Sequence, residues 1–462
     1  MTDATPATSV LDVQASDLYA FVQRRRNKTV IADDDLLHVD DLARSDSYEQ
    51  WAPVIVSKCL HGMDKSTAPC VKESQPSNIV EAQELLYPAF RLRLPHFASS
   101  VMQDQWLAQG LHLGRMRVSE DKEWADYPAT QGQNMVFENA VFRGDPPPDV
   151  WSDKSCMGGA ASHTSFLHAA TANDSSFDRN NSVDTLVIGT SPDSWSFQHF
   201  IDRVAVVWSQ AQLVIPAKKK AETVIVSGKE PRDNIVNEIY ERMVGRHLHK
   251  VTTVSAKRLV FSCRAPLIHP YTTQRITENI MQSLPAPATD ADGRNVILFL
   301  SRNSKGGKAH NGGRRIQNED KLFNAIGARL REESRTEKLQ YFDGLEQVAS
   351  MRDRVKMMIG PHGAAFYNSR FAQPRTAMIE IIPDPDKFFV PCFWEQARLL
   401  GQDYSAHVGK VVNKKNDMEL ENIEEVVGLV LDRLVYLDNS YQSSDALSGT
   451  YAWRVYQDKM KF

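Results

Sequence analysis

The sequence predicts an α/β protein built from two blocks, each organised around a largely parallel sheet. With 462 residues, the chain is too long for one ordinary hydrophobic core, so two domains with extensions are expected. Apolar runs typical of strands alternate with helical patterns, which is the arrangement of βαβ units. The alternation is interrupted at 285–293, where proline, alanine and aspartate predominate. This stretch is predicted to be the linker between the two blocks.

The first block is predicted to cover residues 85–284, after an N-terminal extension or partial cap at 1–84. A stretch at 152–183 is rich in serine, alanine, asparagine and aspartate and is predicted to be a long surface loop. Elsewhere, β-rich runs bounded by turn residues predict strands, and longer segments between them predict helices. The predicted strands are 134–142, 186–189, 223–227 and 258–263, and the predicted helices are 197–213 and 234–246.

The second block is predicted to cover residues 294–437, followed by a C-terminal tail at 438–462. Two α/β blocks with a linker between them resemble a GT-B arrangement, in which two Rossmann-like domains face each other across a cleft. Such an architecture serves many functions, so function has to be argued from a site. The predicted strands are 295–301, 356–360 and 377–382, and the predicted helices are 319–333 and 422–437.

Composition and charge narrow the classes of partner. A formal charge of -4, with 24% charged and 42% apolar residues, is typical of a soluble globular protein. It gives no reason to expect nucleic acid or a membrane as partner. No stretch approaches the ~20 apolar residues of a membrane helix, and the first residues lack the pattern of a secretory signal. Read literally, the sequence therefore predicts no membrane segment and a cytoplasmic protein.

The cysteines and the potential glycosylation sites leave alternatives open. The five cysteines are scattered and lack the spacing of a zinc site, so they are either reduced thiols or form one or two bridges. Three Asn-x-Ser/Thr sequences carry little weight alone in a chain of this length. The cysteines are Cys59, Cys70, Cys156, Cys263 and Cys392, and the asparagines are Asn27, Asn173 and Asn180.

The most informative segment is the turn Gly360-Pro361-His362-Gly363-Ala364-Ala365, which follows a predicted buried strand. If Gly363 and Ala364 open the next helix, backbone N–H groups and the positive helix end converge on one point, which suits a diphosphate. Small residues there let phosphate oxygens approach the backbone. His362 adds a donor for charge that develops on a departing nucleoside diphosphate. The alternative is a tight βα turn whose histidine only hydrogen-bonds a carbonyl.

Arginines near a second strand end favour the phosphate interpretation. The predicted strand at 295–301 delivers Arg302 to its carboxyl end, where open α/β sheets bind ligands. A glycine-rich basic loop then leads to Arg314 and Arg315, which we expect at the start of a helix. Their guanidinium groups suit phosphate oxygens or a carboxylate. The alternative is that Arg315 pairs with Glu319 across one helical turn.

Glu380 lies in the middle of an otherwise apolar predicted strand. A buried, unpaired carboxylate would be costly there, so Glu380 either faces solvent or has partners. The ribose hydroxyls of a bound nucleotide could be those partners. A salt bridge to an arginine is the structural alternative.

Together these segments resemble glycosyltransferase family 61, which includes plant core xylosyltransferases and animal O-linked N-acetylglucosamine transferases. The resemblance spans about 134–408, is strongest over 295–385, and rests on the order and spacing of its motifs. The glycine-rich insertion before Arg314 looks longer than the family's loop, and the family's usual signal anchor or signal peptide is missing. The similar segments are 195–202 and 260–266 in the first block, and Ser301-Arg302, 314–319, 344–347, 360–364, Asn368, Phe371, Pro374 and 379–381 in the second.

The resemblance implies an inverting transferase with a GT-B fold. It would move a sugar from a nucleotide sugar, UDP-xylose or UDP-N-acetylglucosamine, to a hydroxyl of a glycan or glycoprotein, with no obligatory metal and no other cofactor. It also implies the Golgi or ER lumen as the alternative to the cytoplasm. Asp384-Pro385-Asp386 has the spacing of a metal-binding pair but is predicted to be a turn. The implied donor-binding residues are Arg302, Arg314, Arg315, Asn318, Glu319, Gly360, Gly363, Ala364, Asn368 and Glu380, with His362 catalytic.

Inversion by a single displacement needs a base within hydrogen-bond reach of the attacking hydroxyl. The first block should supply it, and His199 and Asp202 lie three residues apart on one face of a predicted helix. Either could act, with a packed or supporting role slightly favoured for His199. The rival interpretations are a non-catalytic relative that binds a nucleotide or sugar, and a Rossmann-type dehydrogenase or methyltransferase. No GxGxxG follows an early strand, which argues against the latter.

Overall fold

The computed structural model describes most of the chain between residues 51 and 439. The predicted linker apart from Gly293, most of the predicted surface loop, the glycine-rich loop before Gly313 and the motif at 344–347 lie outside the described residues. The described residues are 51–61, 63–74, 79–112, 116–144, 150, 170–172, 175–191, 194–231, 234–244, 246–249, 253–281, 293–303, 313–342 and 354–439.

Strands and helices alternate through both halves of the chain. The strands are β1 Val54–Val56, β2 Glu81–Tyr87, β3 Phe90–Arg93, β4 His96–Phe97, β5 Arg117–Val118, β6 Trp124–Tyr127, β7 Thr130–Arg143, β8 Ala170–Ala172, β9 Val183–Ile188, β10 Thr223–Val226, β11 Arg246–Leu248, β12 Thr253–Cys263, β13 Val296–Phe299, β14 Lys338–Tyr341, β15 Val355–Pro361, β16 Ala377–Pro383, β17 Asp403–Val411 and β18 Met418–Glu419. The α-helices are α1 Ala68–Ser74, α2 Ser100–His112, α3 Phe197–His199, α4 Val206–Ala211, α5 Asn234–Met243, α6 Pro270–Met281, α7 Glu319–Glu332, α8 Cys392–Leu399 and α9 Ile423–Asn439.

The first sheet has eight strands and combines an antiparallel with a parallel half. Its order is β1-β2-β7-β12-β9-β10-β11, with β8 added beside β7. Strands β12, β9, β10 and β11 run parallel, so their carboxyl ends lie at one edge. From that edge of β9 the chain enters a helical segment made of α3, a π-helix at Phe200–Ala205 and α4. This segment, predicted as one helix at 197–213, presents His199 and Asp202.

The second sheet has seven strands, and its core is parallel. Its order is β14-β13-β15-β16-β17-β18, with β4 parallel to the other side of β17. From β13 the chain crosses through α7 to β14 on one side, whereas from β15 it proceeds to β16 on the other side. The strand order therefore reverses between β13 and β15. In open α/β sheets, the crevice at the carboxyl end of such a pair is where ligands bind.

Side chains alternate between two cores on either face of the second sheet. Ile297 and Phe299 pack with α7 and α9, whereas Leu298 and Leu300 belong to the large core that extends into the first sheet. Alternation of this kind follows from the two-residue period of a strand that is buried on both faces. The result is a doubly wound sheet that holds the ends of β13 and β15 rigidly.

Helix α8 connects the second sheet with residues near the start of the first block. The Trp394 indole donates to the carbonyl of Arg93 at 2.9 Å in a part-buried contact, and the Tyr127 hydroxyl donates to Glu395 at 2.6 Å in a buried one. Strand β4, from the segment predicted to belong to the first block, pairs with β17 of the second sheet. Residues of β3, β4 and α2 thus belong to a core that also contains residues of both sheets.

Several predicted elements need correction. The helix predicted at 234–246 ends at Met243, and Arg246 already belongs to β11. The loop predicted at 152–183 contains β8, which pairs with β7. Arg314 and Arg315 do not begin a helix, because α7 begins at Glu319. The turn after β15 opens a 3-10 helix at Ala364–Phe371 instead of an α-helix. Strands β8 and β11 are too short to show a periodic pattern, so their pairing with β7 and β10 determines that they are strands.

The structure shows which of the described cysteines are disulfide-bonded and which is a free thiol. Cys59 and Cys70 form a disulfide that joins the segment after β1 to helix α1, and Cys263 is also disulfide-bonded. Cys392 is a free, buried thiol. Among the described residues, no helix has both the length and the apolar character needed to cross a membrane.

Candidate functional site

The carboxyl ends of β13 and β15 are held close together by glycine. A Cβ atom at Gly360 would overlap the carbonyl oxygen of Leu300 on the neighbouring strand. One at Gly363 would lie 2.5 Å from a terminal nitrogen of Arg302. Gly363 has an extended backbone, so its need for glycine is purely steric. The reversal point of the sheet is therefore lined by the Gly363 backbone and the Arg302 guanidinium.

His362 is fixed by a chain of hydrogen bonds that runs through Glu380. Its backbone N–H donates to the Ile381 carbonyl at 2.9 Å, and its ring Nδ1 bonds one oxygen of Glu380. The Tyr404 hydroxyl donates to the other oxygen. Glu380 is completely buried, so the solvent-facing alternative for this residue is wrong. Its carboxylate is shared by a histidine and a tyrosine, not by an arginine in direct contact.

Aromatic rings complete the surroundings of His362. Its ring centroid lies 4.9 Å from that of Phe388 and 4.8 Å from that of Phe393. Among the described residues, Nε2 of His362 has no hydrogen-bond partner. Rings on its flanks and a carboxylate on Nδ1 fix the orientation of the imidazole, as they do for metal-bound and catalytic histidines. The atom left for a ligand is Nε2.

Arg302 is anchored at the end of β13. Its Nε donates to the carbonyl of Gly313 at 2.8 Å. The preceding Ser301 hydroxyl donates to Glu319 at 2.6 Å and accepts the Asn303 backbone N–H at 3.0 Å. Glu319 is buried, and by holding Ser301 it shapes the turn that carries Arg302. The structure therefore gives Glu319 a positioning role.

Arg314 lies near His362, on the other side of the Phe388 ring. Its backbone has a positive φ of 57°, and its guanidinium carbon lies 4.9 Å above the centroid of the Phe388 ring. Because Phe388 also contacts His362 edge to face, the three side chains lie in contact in the order Arg314, Phe388, His362. Burial lowers the pKa of Arg314, and the nearby charge of Glu380 partly opposes this.

Arg315, by contrast, is exposed. Its backbone N–H donates to Asp417 at 2.9 Å and its carbonyl accepts from Met418 at 2.7 Å, because residues 313–318 run beside β18. The described residues contain no ion pair between Arg315 and Glu319, so that alternative is wrong. Arg315 contributes charge near Arg302, whereas Arg302 and Arg314 are partly buried.

The three arginines form a concentrated positive field. Burial, followed by the neighbouring Arg314 and Arg315, lowers the pKa of Arg302 to about 10. Arg302 therefore stays charged at neutral pH, although like charges oppose it. Asp417 offsets part of this charge, and a further anion would stabilise the cluster, since Coulomb energies rise sharply in a partly buried site. The crevice is thus suited to a doubly charged group such as a diphosphate.

Two further residues of the implied donor set have local roles in the structure. Asn318 bonds the backbone of Leu420 twice, donating at 2.8 Å and accepting at 3.1 Å, and so joins the start of α7 to the segment after β18. Asn368 donates to the Ala365 carbonyl at 2.8 Å inside the 3-10 helix.

Asp384 begins a turn, since its side chain accepts the N–H of Asp386 at 3.1 Å, which confirms the prediction for that segment.

The two candidate bases of the first block differ in accessibility. The His199 side chain is 34% exposed, whereas that of Asp202 is 10% exposed. The two side chains lie 3.9 Å apart, from Nδ1 to a carboxylate oxygen. Burial raises the pKa of Asp202 to about 6, and the hydroxyl of Tyr367 and the charge of Arg370 partly oppose this. Asp202 therefore lies behind His199, against the 3-10 helix of the second block.

Residues that sequence reasoning missed complete both parts of the site. Tyr404 and Phe388 surround the His362–Glu380 pair, and Tyr367 links Asp202 to the second block. None lies in a motif next to the residue that it contacts, and Tyr404 is 24 positions from Glu380. A polar Tyr in the run that forms β17 was the only available signal, since a buried tyrosine hydroxyl usually has a partner.

The two glycines of the turn should respond differently to alanine. Gly360→Ala is expected to lower the free energy of unfolding by ~1–3 kcal/mol, because the added methyl meets backbone that cannot move away. Gly363→Ala meets only the flexible end of Arg302, so it should change stability by less and displace the guanidinium. Urea titration of both variants checks this. Equal losses of stability would show that Gly363, too, is needed only for folding.

The comparisons with known proteins find one matching family. The family model for Glycosyltransferase 61 matches residues 197–379, a range that contains His199, Asp202, Arg302, Arg314 and His362. No curated protein matches the chain. A match to this family supports glycosyltransferase activity, with a sugar donor and an acceptor as partners. Residues 197–379 of the chain are therefore similar to glycosyltransferase family 61, the family that the sequence motifs resemble.

Proposed function

We propose that the protein is an inverting glycosyltransferase of GT-B type that uses a nucleoside diphosphate sugar. The observation that supports this best is the convergence of Arg302, Arg314 and the Gly363 backbone at the point where strand order reverses. In this proposal the diphosphate lies across that crevice, and the nucleoside extends over the adjoining strand ends. Glu380 then hydrogen-bonds His362 and does not contact the ribose hydroxyls, because its two carboxylate oxygens already bond His362 and Tyr404.

The proposed reaction is a single displacement. The acceptor hydroxyl oxygen forms a bond to the anomeric carbon while the bond from that carbon to the diphosphate oxygen breaks. The hydroxyl proton passes to a base, and the nucleoside diphosphate leaves with additional negative charge. Nε2–H of His362 and the guanidinium groups of Arg302 and Arg314 stabilise that charge as it develops. The Glu380 carboxylate bonds Nδ1 and so fixes the orientation of the ring.

His199 is the better candidate for the acceptor-side base. A base has to come within hydrogen-bond reach of the attacking hydroxyl, and the exposure of His199 permits this. Asp202 lies behind it and would support the protonated imidazole, in the manner of an orienting carboxylate. UDP-xylose and UDP-N-acetylglucosamine are the donors that the family suggests, with a glycan or glycoprotein hydroxyl as acceptor.

We also propose an oxidising lumen as the compartment in which the protein folds. Cytosolic thiols are kept reduced, whereas the disulfide between Cys59 and Cys70 and the bonded state of Cys263 need an oxidising environment. This favours the Golgi or ER lumen over the cytoplasm. Reduction and alkylation followed by mass spectrometry of the native protein would identify the bridged cysteines.

Calorimetry in the presence of a chelator tests the donor site. UDP is expected to bind with the same affinity with and without EDTA, because Arg302 and Arg314 supply the positive charge that a metal ion would otherwise supply. Among the described residues, no group of three or more acidic, histidine or cysteine side chains could hold a metal ion. Loss of binding in EDTA and its return with manganese would contradict the metal-free proposal.

Two arginine variants provide a matched comparison in the same experiment. Arg302→Ala should weaken UDP binding by about 10- to 150-fold, which corresponds to ~1.5–3 kcal/mol for a charge-assisted contact. The exposed Arg315→Ala should have a smaller effect. Equal effects would place the diphosphate outside the crevice. A donor panel that includes NAD and S-adenosylmethionine, read by thermal shift, separates the Rossmann alternatives. UDP binding without sugar transfer to any acceptor would indicate a non-catalytic relative.

A further inference from the structure

One of the Asn-x-Ser sequences occupies an exposed turn directly before β9. The sequence Asn180-Asn181-Ser182 has the form that oligosaccharide-transferring enzymes recognise. Asn180 is exposed, and among the described residues its side-chain amide makes no hydrogen bond. Its backbone N–H donates to Asp178 at 2.9 Å, and the Ser182 hydroxyl donates to the Arg179 carbonyl at 3.0 Å. The turn is therefore shaped by its own backbone and leaves the Asn180 amide in solvent.

The cysteines supply an independent observation. A sequence of this form is modified only in a chain that enters the secretory pathway. The disulfide between Cys59 and Cys70 places the folding of this chain in an oxidising compartment. We therefore propose that Asn180 carries an N-linked glycan. This proposal needs no assumption about the glycosyl transfer that the protein itself performs.

The modification is a group transfer onto the side-chain amide. Nδ2 of Asn180 forms an N-glycosidic bond to the anomeric carbon of the first sugar of an oligosaccharide that is carried on a lipid diphosphate. The bond from that carbon to the diphosphate oxygen breaks, the amide loses a proton, and the lipid diphosphate leaves. The host's oligosaccharide-transferring enzyme performs this step.

The position of the turn keeps the glycan away from the candidate site. Asn180 precedes the amino end of β9, whereas the chain continues from the carboxyl end of β9 towards His199. The six residues of β9 separate the two ends by about 20 Å. A glycan at Asn180 covers the amino edge of the first sheet, near Asp184 and Lys257, and leaves the carboxyl edge open. Substitution of Asn180 should therefore not change UDP binding.

Peptide mass spectrometry of the full chain from a eukaryotic host tests the proposal. Treatment with peptide N-glycosidase F in heavy-oxygen water converts a glycosylated asparagine to labelled aspartate. Trypsin then cleaves after Arg179 and Arg203, so the peptide 180–203 contains this one Asn-x-Ser sequence, separate from Asn173. We expect labelled aspartate at 180, and a shift in mobility on deglycosylation that Asn180→Gln and Ser182→Ala each reduce by one glycan.

Asn181→Gln is the matched control. It alters the middle residue of the same turn, where Asn181 donates to Asp178 at 2.7 Å, but it keeps the recognised sequence. The glycan should therefore remain. An unlabelled Asn180 in protein whose Cys59 and Cys70 are bridged would overturn the proposal. So would reduced Cys59 and Cys70 in the native protein, since the chain would then not have passed through an oxidising compartment.

Discussion

Replacing His362 with asparagine is expected to lower kcat by ~10²-fold or more, with a much smaller change in KM for the donor. The asparagine amide can take the place of Nδ1 and keep the hydrogen bond to Glu380, but nothing takes the place of Nε2. If Nε2–H stabilises the leaving diphosphate, its contribution grows as charge develops in the transition state. Steady-state kinetics with a donor panel measures the separation of kcat from KM.

His362→Gln is the complementary variant. Its longer amide reaches the position of Nε2 and gives up the contact with Glu380. It should keep more of the turnover but be less stable, by ~1–3 kcal/mol, because the completely buried Glu380 would retain only the Tyr404 hydroxyl as partner. Alanine is less informative here, since it removes both contacts and the packing against Phe388 and Phe393. Near-native kcat in His362→Asn would make the histidine a packing residue.

Three strands of the second sheet could be predicted from the sequence because they are apolar, whereas β14 and β17 follow from no pattern identified in the sequence. The runs that form β13, β15 and β16 are buried on both faces, so composition alone identifies them. Strands β4 and β8 have two and three residues, and only the partner strands β17 and β7 make them strands. A strand of that length has no period to detect. The pairing of β4 across the predicted domain boundary could not be derived from local sequence for the same reason.

The site shows a similar division. Arg302 and His362 could be predicted because each follows the carboxyl end of a strand, and strand ends are where α/β sheets bind ligands. The hydrogen-bond partners of Glu380 could not be predicted, because one of them, Tyr404, comes from β17, two elements further along the chain. Arg314 and Arg315 are adjacent in sequence but differ in burial, because residues 313–318 run beside β18 and do not start the helix.

Because Asp202 is a buried carboxylic acid, it should make the free energy of unfolding fall as pH rises from about 4 to about 6. Burial raises its pKa to about 6 in the folded protein, whereas an unfolded aspartate titrates near ~3.9. The folded state therefore binds this proton more tightly, so the contribution to stability is fully present below about pH 4. It is lost as pH rises towards about 6 and stays constant above that. Asp202→Asn should remove this slope from urea titrations measured across the range.

Replacing His199 with alanine is expected to lower kcat by ~10²- to 10⁴-fold, the usual contribution of a general base. UDP affinity should not change, because in the proposed binding mode the diphosphate contacts residues of the second block. Asp202→Asn should lower kcat less, since an amide next to His199 keeps the packing and loses only the support for a protonated ring. The comparison of the two variants distinguishes the candidates. If Asp202 itself were the base, Asp202→Asn would lose activity as completely as His199→Ala. That outcome would transfer the role to the carboxylate and make His199 the residue that positions it.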